Sequence, residues 1–403
     1  MPTIPGGAFN DFIFGASAAD FIMAGDGHDT VFGGSGDDII GGGSGDDLLI
    51  GGTSHDRIDG GVGDDQVIGG TGNDLLFGAV GDDTLLGGAG VDTVSYVHAA
   101  GGVTVNLATG VANGEGADQL SGIEAIVGTN FADTLIGDAA ANRLVGGVGE
   151  DSISGGDGKD SLAGGLGDDT LSGGSGVDAV SYTSSESGVT VDLSAGTASG
   201  EGNDQLNDFE EVFGSRFDDL IKGDGRDNWF HGGLGDDTLL GGVGVDTVSY
   251  VHAAGGVTVN LATGVANGEG ADQLNGIEVV VGSSFDDQLT GDAANNRLVG
   301  NRGDDYLQGG AGNDRLEGGA GADHFVCTTA GGDGSGFDVI RDFQIGVDRL
   351  SLIDFGFDDI DDVLAASHQV GSNTVIDLTP EASVTILGFS VFQLDGSIEL
   401  FFG

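Results

Sequence analysis

Apolar residues recur in this chain every nine positions. That spacing suits neither the 3.6-residue turn of a helix nor the two-residue alternation of a plain strand. The pattern is Gly-Gly-x-Gly-x-Asp-x-apolar-x. It runs unbroken from Gly6 to Ser95 and returns at Gly128–Ser181, Gly214–Ser249 and Gly282–Val326, giving ten, six, four and five units. The eighth position is apolar in all 25 units, from Ile13, Ile22 and Val31 to Leu316 and Phe325. With 38% of the chain apolar, agreement by chance is on the order of 10⁻¹¹. A fixed short period over so many copies predicts a solenoid. The x-apolar-x triplet is too short for a helix and predicts a brief strand whose middle side chain points into a thin core.

The other fixed positions carry the chemistry. The first is Gly in every unit but one, where Ala24 stands, and the sixth is Asp in all but three, which have Asn142, Asn228 and Asn296. Glycine tolerates positive φ and so permits a sharp turn. It also lets main-chain carbonyls approach an ion. One carboxylate per turn completes an all-oxygen set of the kind a hard cation takes in numbers of six to eight. Composition alone, with 84 glycines in 403 residues and a net charge of −55, suits a flexible linker. A linker has no reason to hold an apolar residue in phase. Without metal, disorder is the expectation. Stacked aspartates repel, and two apolar residues per 18-residue coil do not offset the entropy of so many glycines.

GGSGDDLLI, GGTGNDLLF and GGAGNDRLE identify the chain as a member of the secreted "repeats in toxin" (RTX) family, whose nonapeptide they match. The resemblance covers residues 6–326 and a tail similar to the family's export region. It implies an all-β fold, a parallel β-roll in which two consecutive units make one coil and Ca²⁺ sits between like-side turns of neighbouring coils. A run of n units then offers up to n − 2 sites, an upper estimate of about 17 ions for the whole chain.

The units are unequal. Each block opens on a variant with Phe at position four (Phe9, Phe131, Phe217, Phe285), followed by a degraded second unit. These opening pairs read as caps with poor metal sites. Because the first block begins with the same cap, the chain is expected to be complete at its N-terminus. The expected ligands are the aspartates of units with both Gly at position four and Asp at position six. In the first block these are Asp29, Asp38, Asp47, Asp65, Asp74, Asp83 and Asp92. The second supplies Asp151, Asp160, Asp169 and Asp178; the third, Asp237 and Asp246; the fourth, Asp305, Asp314 and Asp323.

The blocks 1–95, 128–181, 214–249 and 282–326 are separated by inserts 96–127, 182–213 and 250–281 and followed by a C-terminal region 327–403. Residues 91–120 and 245–274 are identical, and the middle insert has diverged. This is duplication within one architecture. Val103–Leu107 alternates like a strand and Ala108-Thr109-Gly110 offers a turn, so each insert is expected to send a hairpin out of the roll before a strand pair rejoins it. The hairpins read as structural decoration in preference to binding surfaces. His98 and His252 occupy equivalent places, without a partner motif, and read as surface histidines.

After Val326 the repeat stops. Asp338, Asp342 and Asp348 suit either another ion or solvated acidic turns. DDIDDVLAAS predicts a short helix; NTVIDL and SVTILGF predict strands, making a β-rich cap. The ending DGSIELFFG resembles the uncleaved signal of type I secretion, which implies an ABC exporter as partner and an extracellular destination. MPTIPGG lacks the basic start and apolar run of a signal peptide, and no stretch approaches a membrane span. The single cysteine, Cys327, excludes an internal disulfide, a staple that metal replaces. The negative charge argues against nucleic acid and anionic membranes as partners and suits divalent cations.

No H-E-x-x-H helix and no G-x-S-x-G elbow is present. The favoured reading is a non-catalytic extracellular Ca²⁺ binder with a surface, matrix or adhesion role. A second is a protein that binds or modifies polysaccharide, similar to the repeat modules of alginate epimerases but without their catalytic β-helix. A third is a membrane-active secreted Ca²⁺ binder.

Overall fold

The computed structural model describes residues 3–328, 336–394 and 399–402. The nine-residue period becomes a parallel β-roll. Each full unit of the first block but the last contributes one six-residue strand that begins at position seven and runs into position three of the next unit, as in Thr30–Ser35 and Leu48–Thr53. Strands pair in parallel with the strand 18 residues on: Thr30 lies beside Leu48 and Val31 beside Leu49. Alternate units therefore build two facing sheets, one of Thr30–Ser35, Leu48–Thr53 and Gln66–Thr71, the other of Phe21–Asp26, Ile39–Ser44 and Arg57–Val62. The position-eight side chains of both sheets meet between them. All 25 are buried, and the most exposed, Ile13 at 7%, belongs to the first coil.

The chain divides into two compact units, residues 1–184 with 196–209 and residues 185–195 with 210–403. Within the first, the insert after Ser95 departs from expectation. Its hairpin does not leave the roll. Thr104–Asn106 pairs antiparallel with Val111–Asn113, which pairs antiparallel with Ala117–Ser121. Ala117–Ser121 then pairs in parallel with Thr84–Ala89 of the preceding block, and Thr104–Asn106 with Thr134–Ile136 of the next. Three strands are thus laid into one sheet of the roll, so every strand edge finds a partner. In the second unit Thr258–Asn260, Val265–Asn267 and Ala271–Asn275 repeat the arrangement.

The C-terminal region extends both sheets. His324–Thr328 pairs with Arg349–Ile353, and that strand with Glu399–Phe402. Gly336–Ile340 joins Arg315–Ala320 to Ala382–Ile386, which continues into an antiparallel meander through Asn373–Thr379 and Ser367–Val370. The expected helix is Ile360–Ala365, capped by the Asp359 side chain on the N–H of Asp362. The DGSIELFFG ending lies outside the residues whose side chains are described.

Candidate metal centre

The position-six aspartates form two ladders along the edges of the roll. The backbone N–H of each donates to Oδ1 of the aspartate one coil later: Asp29 to Asp47 at 2.7 Å, Asp47 to Asp65 and Asp65 to Asp83 at 2.8 Å. Asp38, Asp56, Asp74 and Asp92 repeat this on the other edge. The second oxygen behaves differently. Oδ2 of Asp29, Asp38, Asp47, Asp65, Asp74, Asp83 and Asp92 is buried and receives no hydrogen bond, and the same holds for Asp151, Asp160, Asp169, Asp237, Asp246, Asp305 and Asp323. Buried carboxylate oxygens are ordinarily satisfied, and leaving one bare is costly. A regular array of them presents one unpartnered carboxylate oxygen per turn.

Glycine at position one makes room there. A Cβ on Gly33 would lie 2.6 Å from Asp38 Oδ2 and 2.6 Å from the carbonyl oxygen of Gly51 in the next coil. At Gly60 the distances are 2.5 Å to Asp65 Oδ2 and 2.8 Å to the Gly78 carbonyl. A carboxylate and a main-chain carbonyl thus converge on the space that glycine leaves. Among the described residues no three acidic, histidine or cysteine side chains cluster as a metal site. The oxygens are one carboxylate per turn plus carbonyls, a hard donor set suited to Ca²⁺.

The opening units close this space themselves. Oδ2 of Asp133 accepts the N–H of Thr129, that of Asp219 the N–H of Ser215 and that of Asp287 the N–H of Ser283, each at 2.6 Å. Gly7 serves Asp11 and Ala16 serves Asp20 in the same way. The amide oxygens of Asn142, Asn228 and Asn296 accept from Asp138, Asp224 and Asp292. In seventeen other units, positions two and four both take positive φ, as at Gly70 (120°) and Gly72 (125°). There the position-two N–H makes no such bond.

All sixteen aspartates expected from the sequence stand in these seventeen turns, including Asp178 and Asp314, whose Oδ1 atoms accept from Asp160 and Asn296. The seventeenth is Asp56. Ser54 at position four set it aside in the sequence, yet Ser54 takes φ 87° and Asp56 Oδ2 is as bare as the others. Asp348 is neither a solvated turn nor an open site. Asp348 is 3% exposed and closes its ladder, taking Asp323 N–H on Oδ1 and Gln344 N–H on Oδ2. Asp338 accepts from Asp314, and Asp342 from Gly318 and Gly319.

Each insert also conceals a nonapeptide. NGEGADQLS at Asn113–Ser121 fits the pattern from position two onward, and Asp118 occupies the next rung, accepting from Asp83 at 3.2 Å. Its Oδ2 is not bare. The buried hydroxyl of Tyr96 donates to it at 2.9 Å. Tyr182 serves Asp204 and Tyr250 serves Asp272 identically. On the other ladder Glu124 and Glu278 replace aspartate, accepting from Asp92 and Asp246.

Burial sets the electrostatics. Loss of water pushes Asp56, Asp65, Asp83, Asp169 and Asp305 up to about 7 and Asp237 to about 8, against weaker lowering by the ladder hydrogen bonds. Without a counter-charge these carboxylates resist ionising at neutral pH. A divalent cation supplies that counter-charge.

The two equivalent insert histidines make ring contacts away from the aspartate ladders. His98 is exposed and stacks at 5.8 Å on Phe77, and His252 lies beside His231.

No curated protein matches the chain. Among solved structures, the extracellular lipase LipA from Serratia marcescens aligns at 19% identity with a TM-score of 0.20, over 66% of this chain and 40% of the lipase. The chain thus spans well under half of that enzyme. The family model of the RTX calcium-binding nonapeptide repeat matches residues 5–40, 41–76, 59–94, 118–153, 127–162, 145–180, 213–248, 272–307 and 290–325. With the bare carboxylate array and the matched repeats together covering most of the molecule, this chain belongs to the RTX calcium-binding nonapeptide repeat family.

Proposed function

We propose that this protein is a secreted, non-catalytic calcium binder that is exported unfolded and closes its roll on meeting Ca²⁺ outside the cell, to act at a surface or in an extracellular matrix. The observation that carries the reading is the repeated bare Oδ2 beside a Cβ-free glycine. The seventeen turns with positive φ at positions two and four set the capacity at up to about 17 ions. In each, the position-six aspartate and the carbonyls of positions one to four would hold the ion. The ion supplies positive charge to carboxylates that otherwise repel one another.

The consequence is a folding switch set by location. Where Ca²⁺ is scarce, net charge of −55 keeps the chain extended and able to thread a type I exporter. Where Ca²⁺ is plentiful, metal binding is folding free energy, and closure opposes return. The absence of protease and lipase motifs supports a non-catalytic role. Far-ultraviolet circular dichroism tests the switch: β content should be low in chelator and rise cooperatively with millimolar Ca²⁺. Equal β content in both conditions would overturn it.

A further inference from the structure

Of the 11 lysines and arginines in the chain, five lie between Arg297 and Arg349. Two of them, Arg297 and Arg315, stand directly beside one another on neighbouring parallel strands. Like charges so placed destabilise a sheet. Glu317 relieves Arg297 through a 3.1 Å hydrogen bond and lies 3.9 Å from Arg341. Among the described residues, no acidic side chain forms an ion pair with Arg315. Both arginines line a groove of about 490 Å³.

The rest of the lining also offers donors. The Oδ1 atoms of Asn295 and Asn313 accept the N–H groups of Asn313 and Phe337, at 2.7 and 2.8 Å. Their amide NH₂ groups are what remains for a ligand. The carboxylates nearby are committed inward: Glu278 accepts the N–H of Asp246, and Asp314 is fully buried in its ladder. Phe337, 59% exposed, adds an aromatic side chain to the lining. Planar donors beside an exposed ring fit a ligand with both an anionic group and an apolar face.

We propose that this groove binds an acidic saccharide chain, its carboxylate or sulfate seated between Arg297 and Arg315 and the apolar face of a sugar ring on Phe337. Arginine's planar fork favours both anions. The net charge of −55 opposes any long polyanion, so the groove suits a short acidic chain that meets the arginine pair locally. The proposal rests on the fourth block being closed around its cations.

Titration calorimetry of the full chain in Ca²⁺ tests it, with a short oligouronate, a sulfated oligosaccharide of similar length, a neutral one and inorganic sulfate as probes. The acidic saccharides should bind, the stronger of the two naming the anion, and binding should weaken with salt. Arg297→Gln with Arg315→Gln should weaken it roughly tenfold or more. Arg315→Gln alone, at an exposed position, should leave circular dichroism in Ca²⁺ unchanged and still weaken binding. Arg57→Gln, which removes the arginine over Phe77, should have no effect. Equal binding of the neutral saccharide, equal binding of sulfate alone, or unchanged affinity in the double variant overturns the proposal. Failure of the two readings is separable. A roll that folds in Ca²⁺ but binds no acidic saccharide defeats the groove. Binding that persists in chelator, with β content unchanged, defeats the folding switch.

Discussion

The hydroxyl of Tyr96 donates to Oδ2 of Asp118 at 2.9 Å, so at this rung a side-chain hydroxyl partners the oxygen that Asp83, on the preceding rung, leaves bare. Burial and the facing carboxylate push the phenol well above its ordinary range, so the hydroxyl keeps its proton to donate at neutral pH. Tyr182–Asp204 and Tyr250–Asp272 repeat the pair. A hydroxyl proton thus takes the place that a cation is proposed to take elsewhere, and the inserts are expected to be metal-free joints in the ladder.

Tyr96→Phe removes this proton and changes little else. A buried carboxylate oxygen is left bare, and a hydrogen bond to a charged acceptor is lost. Urea unfolding in saturating Ca²⁺ should show a loss of about 2 kcal/mol. A loss below about 0.5 kcal/mol would mean that Asp118 finds another donor.

The pH response should change sign with calcium. Asp56, Asp65 and Asp83 are pushed to about 7 and Asp237 to about 8, chiefly by burial. A carboxyl whose folded pKa lies above its unfolded value binds its proton more tightly in the roll. Ion-free, the roll therefore has its greatest stability below about pH 4, the unfolded value, and loses it as pH rises through 7 to 8. With calcium, the same groups must ionise to serve as ligands, so affinity should climb over about pH 6 to 8. Circular dichroism in chelator from pH 4 to 8.5 and calcium titrations at both ends of the range check this. Ion-free β content that rises with pH would contradict it.

The nine-residue period was legible because it is local. Each buried side chain, such as Ile40 or Leu49, announces itself by its own position in the unit. What escaped is non-local. Asp56 was set aside because Ser54 is not glycine, but stacking between coils holds Ser54 at φ 87° regardless. Turn conformation follows a unit's place in the stack: Gly7 keeps the motif's glycine yet bonds Asp11 as a cap, since Gly7 opens the run. The concealed nonapeptide at Asn113–Ser121 had a readable signal in Gly114, Gly116, Asp118 and Leu120. Asn113 at position one broke the template. That the hairpin lies in the sheet depends on which edge it meets, and edges are not written in the hairpin itself.

Position-two glycines should be less replaceable than the motif suggests. Gly70 has φ 120°, and a Cβ there would overlap the carbonyl oxygen of Gly52. Ala79 and Asn301 are tolerated in the equivalent place because their turns relax to φ 66° and 78°, within the left-handed region open to L-residues. Gly70→Ala must make the same rotation between two coils that both keep 120°. We expect a loss of about 2 kcal/mol, from the left-handed penalty together with the displaced carbonyl. The thermal midpoint in calcium would report it.

Removal of single carboxylates separates sites from caps. Asp74 Oδ2 is bare and buried in the middle of the longest run, whereas Asp11 is half-exposed and accepts from Gly7. Asp74→Ala should lower calcium affinity and stoichiometry in titration calorimetry, and Asp11→Ala should change neither. Asp56→Ala sharpens the comparison, because the two criteria disagree about it. Glycine at position four excludes it; the bare oxygen includes it. If Asp56→Ala behaves as Asp74→Ala does, carboxylate burial without a donor identifies a site. If it behaves as Asp11→Ala does, the serine turn is a break in the ladder, and the first block holds two independent runs of ions in place of one.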